Sequence, residues 1–407
     1  MSSPLDPALL QRLSPEPAKR IDEVIGYFRR EKRPVELFEA LKMKSRLAHQ
    51  LPMIAAPDVS LEAETQGDVL IQRQLEDDLL DACRQAGAML IESGKIGEGY
   101  MYLRPVGDNA LIKRLLDAVE IDDDNYDEMT HVLLHEGVDL GRGYLAVIQQ
   151  QGTCNSITLY DQAIANRSKA DRQIASSVLL NHFYDELNSL VRDDFANRAA
   201  SNGVDPAETQ RALDNLSLGD LVCKYTWIMG GGGYHLDTTH LASVIRFATV
   251  LDQPELIDKA HQLCQYGRRL AADFQYPGDE PFVDFYPAYT AFFSALMGQN
   301  VDSSLRLFEQ KARTVDPITQ GSGAIETYID LLDRTGSPAK ALRAAIELFP
   351  ADVPVGRVMP EMMAMATRAI QSGDDLIASK LENFCFERGD LLGVAAVSEL
   401  TKPSKTG

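Results

Sequence analysis

The sequence predicts an all-α protein, a superhelical array of antiparallel helix pairs. Three observations predict it. Apolar residues recur at three-four spacing along most of the chain. No two alternating apolar runs are joined by a hairpin turn. Three glycines between helical stretches, Gly94, Gly336 and Gly373, are each followed five residues later by a small residue.

Taking the elements in order, Ile21, Val24, Ile25 and Phe28 predict a helix over 18–30. Pro34 ends it, and Leu37, Leu41 and Leu47 carry a second over 35–51. Residues 1–51 are therefore expected to form an N-terminal helical pair. The next stretch, 52–70, mixes Pro, Ala, Ser, Gly and acids without periodicity and reads as a linker. A long helix is expected over 71–92. It opens an irregular helical region, 71–275, which is followed by more regular repeats over 276–400 and a disordered tail, 401–407.

The pairs carry a shared pattern. Gly87, Leu90, Gly94, Gly99, Leu103 and Pro105 mark one; Ile329, Leu332, Gly336, Ala341, Ala345 and Pro350 mark another. Gly373 and Ala378 repeat the spacing. The glycine permits a tight turn, and the small residue at plus five lets the second helix lie close to the first. This pattern resembles the tetratricopeptide repeat, whose consensus has a small residue near position eight, a turn near fifteen, Ala at twenty and a closing Pro. The likeness is best over 80–112 and 322–352, and looser over 284–315 and 360–400. The units do not recur at the family's period of about 34 residues. The resemblance implies an α-solenoid whose concave face binds a peptide or a partner protein.

Composition excludes other classes. The chain has 407 residues, with 40 Lys and Arg against 60 Asp and Glu, for a net charge of −20. So acidic a surface repels phosphate backbones and anionic lipid, so neither nucleic acid nor a membrane is expected as partner. The first residues lack the basic and apolar regions of a secretory signal. The five cysteines are scattered and match neither a disulfide framework nor a zinc pattern. A cytoplasmic location with free thiols is the expectation.

Three features interrupt the array. Residues 149–162 centre on Gly152. Residues 227–240 contain Gly230 to Gly233, which disfavour helix by about 1 kcal/mol each relative to Ala; the next helix is expected to start at Asp237, Thr238 or Thr239. Residues 273–287 are rich in Pro and aromatics and read as an ordered loop packing its rings on the helices.

Candidate chemistry concentrates in the middle of the chain, where five of the seven histidines lie. His131 and His135 are four apart, with Glu136 adjoining. His182 precedes Glu186 by four. His235, Asp237 and His240 surround a helix start. Such i,i+4 pairs on neighbouring helices are how helical proteins assemble metal sites. If His131, His135, His182, Glu186, His235, Asp237 and His240 converged they would suit Zn²⁺ or Fe²⁺. A hydrolase using metal-bound water is then the simplest chemistry, with Glu136 or Asp185 as general base. This metal-dependent enzyme is the alternative to the binding scaffold. Cys154, in a Gly-Thr-Cys-Asn segment, is a candidate thiol nucleophile. The Gly run fits neither a dinucleotide fingerprint nor a phosphate loop, and Asp122–Glu128 lacks the spacing of a calcium loop. The rings over 274–293 read first as core. A ligand-binding wall is the alternative, made of Tyr225, Trp227, Tyr276 and Tyr286 with Arg268 and Arg269 as anion clamps.

Overall fold

The computed structural model describes residues 11–350, 354–374 and 376–400. About 74% of the chain is helical and no strand occurs among the described residues, which makes the protein all-α. The expected tail, 401–407, lies outside the described residues. Among the described residues no helix is long and apolar enough to cross a membrane. The chain divides into two compact units, 1–152 and 153–407. The expected middle region, 71–275, has a part in each.

In the first unit, α1 (Pro17–Arg30) and α2 (Pro34–Ala48) each begin with proline. There the missing N–H costs nothing and the fixed φ suits a helix. They bury Ile21, Ile25, Leu37 and Ala40 against one another, with Val24 and Phe28 beside them. After the linker, which contains one short helical turn at Leu61–Glu64, comes α3 (Val69–Glu92). Its N-cap is Asp68, whose carboxylate accepts from the amides of Leu70 and Ile71.

The next pair shows why small residues recur. Gly94 turns the chain at φ 84°, a left-handed conformation suited to glycine. Then α4 (Ile96–Leu103) packs on α3. A Cβ on Gly99 would stand 2.8 Å from the carbonyl oxygen of Gly87, and one on Gly87 would stand 2.6 Å from Leu103. Only glycines allow these backbones to approach so closely. Ile91, Ile96, Leu103, Leu116, Met129 and Val132 form the core around them, with α5 (Asn109–Asp117) on its flank.

The helical run Leu140–Leu159 is broken at Gly152, with φ 80° and ψ 174°. The break expected at 149–162 is therefore present, and it falls at the boundary of the first unit.

In the second unit, helical residues 153–164 lead into α6 (Lys169–Arg198), capped by Ser168. Behind it come α7 (Pro206–Asn215), α8 (Leu218–Lys224), α9 (Thr238–Ala248) and α10 (Pro254–Gly267). Among the described residues seven longer helices follow, with one short turn at Pro317–Gln320: α11 (Phe285–Leu296), α12 (Val301–Thr314), α13 (Gly323–Arg334), α14 (Pro338–Leu348), α15 (Val355–Gln371), α16 (Ile377–Glu387) and α17 (Leu391–Val397). From α10 onward, almost every helix packs on the next in sequence, and several also reach the next but one. Gly336 (φ 84°) and Gly373 (φ 95°) make the expected turns. Ala341 and Ala378, five residues later, are buried.

Candidate functional site

The residues singled out for metal chemistry are not gathered into a site. Among the described residues, no group of three or more His, Cys, Asp or Glu is arranged to hold a metal ion. His131, His135 and Glu136 belong to the first unit, and His182, Glu186, His235, Asp237 and His240 to the second.

Several of them have local partners instead. At His131 the helix widens by one residue, so that the Glu136 amide donates to the His131 carbonyl at 3.0 Å. The two exposed imidazoles lie 6.0 Å apart between ring centres. Glu136 accepts from the Tyr100 hydroxyl at 2.9 Å and faces His131 at 3.7 Å and Arg104 at 3.8 Å. It ties α4 to the following turn. Asp185, the other candidate base, is an exposed partner of Lys259 at 3.3 Å. His182 faces Glu186 at 3.8 Å on the surface of α6. Asp237 is the N-cap of α9, accepting from the amides of Thr239 and His240 at 2.8 and 3.1 Å. The Thr239 hydrogen bonds hold its carboxyl below the ordinary range against the opposing effect of burial. Cys154 is exposed, just past the Gly152 break.

His235 anchors the glycine-rich segment. Its Nδ1 lies 3.0 Å from the Tyr266 hydroxyl and its Nε2 3.4 Å from Asp194. Burial pushes the Tyr266 hydroxyl up to about 12, so it is a neutral hydrogen-bonding group. Asp194 also pairs with Arg198 at 2.7 Å. Arg198 donates to the carbonyls of Trp227 and Ile228. Trp227 stacks on Phe195, and Tyr225 donates to Glu208 at 2.8 Å. Tyr225, Trp227 and His235 thus fasten a segment in which Gly231 and Gly232 adopt positive φ. The segment is tied down by Trp227 and His235, while the Tyr234 ring stays exposed.

The expected aromatic wall separates in the same way. Tyr286 is fully buried and presents no face to a ligand. It fills the space left by Gly267, where a Cβ would stand 2.1 Å from its ring. Tyr276 lies exposed with its edge on Phe285, and Arg268 and Arg269 are exposed at the end of α10. The loop over 273–287 packs its rings as expected: Phe282 stacks face to face on Tyr289 at 3.8 Å.

That stacked pair forms part of a different site. A cavity of about 770 Å³ opens in the second unit, bordered by α6, α9, α11, α13 and α15. Phe282, Tyr289 and Phe292 supply aromatic surface, and Val358, Met362 and Met365 supply aliphatic surface. Six cations border it: Lys169, Arg172, Arg246, Arg334, Arg357 and Arg368. Four acids accompany them: Glu326, Asp330, Asp333 and Glu361.

Most of these charges are held in place. Arg334 has a side chain only 10% exposed. It lies over the Phe292 ring, pairs with Asp252 at 3.1 Å and Asp330 at 3.0 Å, and donates to the carbonyls of Thr249 and Leu251. Asp252 also receives Lys169 at 3.0 Å and Gln173 at 2.7 Å. Burial pushes the Asp252 carboxyl up, but these cations and the amide outweigh it and hold the carboxyl below its ordinary range. Arg368 pairs with Asp333, and Arg246 with Asp161 at 3.2 Å. The hydrogen bonds of Arg334, Lys169 and Gln173 thus join α6, the turn after α9 and α13 into one rigid wall.

Volume, ring surface and fixed polar groups are what a ligand site needs. Sequence reading missed it, because its cations are spread over two hundred residues with no common spacing and meet only through the packing of five helices. No protein-family model matches this chain, nor does any curated protein or solved structure compared with it.

Proposed function

We propose that the protein is a helical-repeat binding scaffold, tetratricopeptide-like in architecture, that takes a segment of a partner polypeptide in the groove of its second unit. The carrying observation is the groove itself. It combines a stacked aromatic surface with an ion-paired rim that is ordered before any ligand arrives. Preorganisation of this kind lowers the entropic cost of binding. The sequential packing from α10 to α17 supports the repeat reading, since in stacked repeats each helix pair contacts its neighbours in sequence. Pairs built this way offer extended concave surfaces, and a bound peptide places side chains into pockets along them.

A random-peptide display selection on the intact protein tests this. Ala364 is exposed and borders the groove, so Ala364→Trp fills part of it; Thr367, exposed on the same helix, does not border it. Peptides recovered on the native protein should bind Thr367→Trp equally and lose binding to Ala364→Trp. Recovery of no peptide, or of peptides indifferent to Ala364→Trp, refutes the reading.

A further inference from the structure

We infer that Arg172 anchors an acidic side chain of the bound segment; this rests on the groove reading above and names the chemistry of the partner. Among the described residues, the Arg172 guanidinium has no hydrogen-bond or ion-pair partner, and its Nε is buried without an acceptor. An unsatisfied buried donor is costly, and a ligand oxygen that reaches the guanidinium offsets that cost. The neighbouring cations differ. Lys169 and Arg334 share Asp252, Arg246 holds Asp161, and Arg368 holds Asp333. Each has an acid supplied by the fold. Arg172 and the exposed Arg357 have none among the described residues, in a chain with twenty more acids than bases.

Three of the four acids that border the cavity are already engaged. Asp330 and Asp333 are engaged by Arg334 and Arg368, and Glu326 accepts from the Ser322 hydroxyl at 2.6 Å. The fold thus supplies the Arg172 guanidinium with no carboxylate of its own among the described residues. Its planar fork suits a carboxylate, which it grips with two parallel hydrogen bonds. Glu326 and Glu361 border the same cavity and disfavour a group of higher negative charge, such as a phosphate. An aspartate or glutamate side chain is the occupant this balance selects.

The test is the composition of peptides recovered by random-peptide display on the intact protein. On the native chain they should be enriched in Asp and Glu. Arg172→Gln should weaken the acidic peptides by roughly tenfold or more, while peptides without acids are unaffected. Arg172→Lys should retain part of the preference, and Arg172→Glu should exchange it for Lys and Arg. Thermal melts of each variant separate loss of the anchor from loss of the fold. Recovered peptides with no acidic excess, or an excess that survives Arg172→Glu, overturn the anchor while leaving the groove reading intact. Failure to recover any peptide overturns the groove reading itself.

Discussion

Single residues in the second unit decide whether its helices can close on one another. Gly267 is the sharpest case, because a Cβ there would stand 2.1 Å from the fully buried Tyr286 ring, which would have to shift. Gly267→Ala should destabilise the protein by about 1–3 kcal/mol through overpacking. Gly230→Ala should change stability by less than about 0.5 kcal/mol, since the position has φ −68° and nothing within 4 Å. Urea unfolding of both variants measures the difference. His261 gives a second expectation at this scale. Burial lowers its pKa, outweighing the nearby Asp258, and its Nε2 lies 3.2 Å from the Ser294 hydroxyl. With the folded value below the unfolded one of about 6.5, the unfolded chain takes up the proton first as pH falls. Stability is unaffected above that pH and declines below it. His261→Gln should remove that part of the slope, as read by denaturation midpoints across pH 5 to 7.

Capping governs the elements. Asp237 holds two amides at the start of α9, the helix that carries Arg246 and leads into the turn gripped by Arg334. Asp237→Ala should cost about 1 kcal/mol. Because its folded carboxyl lies below the ordinary range, the contribution is present at neutral pH and is lost as pH falls through the folded value. Asp237→Asn, which keeps the acceptor, should retain most of the stability and lose this acid dependence. Legibility from sequence also divides at this scale. Helix positions, the glycine turns at Gly94, Gly336 and Gly373, the break at Gly152 and the cap at Asp237 rest on local rules, so residue types a few positions apart reveal them. The groove does not. Arg172 and Arg368 look like ordinary solvated helix residues until α6, α13 and α15 are packed. The histidines misled for the opposite reason: i,i+4 spacing shows that two side chains share a face, and says nothing of a third ligand. His235 meets Tyr266 and Asp194, which are far away in sequence.

For the molecule as a whole, the two units have cores of their own. Residues 153–407 contain every residue that borders the groove. Expressed alone, this segment should unfold cooperatively and bind the same peptides as the full chain. A fragment that folds but binds nothing would place the binding surface elsewhere. The most direct measurement is the dissociation constant of one display-selected peptide, by fluorescence anisotropy, for the native protein and for Ala364→Trp. A groove that receives the peptide gives binding weaker by roughly tenfold or more in the variant. An unchanged dissociation constant in a folded Ala364→Trp protein would contradict binding in the groove.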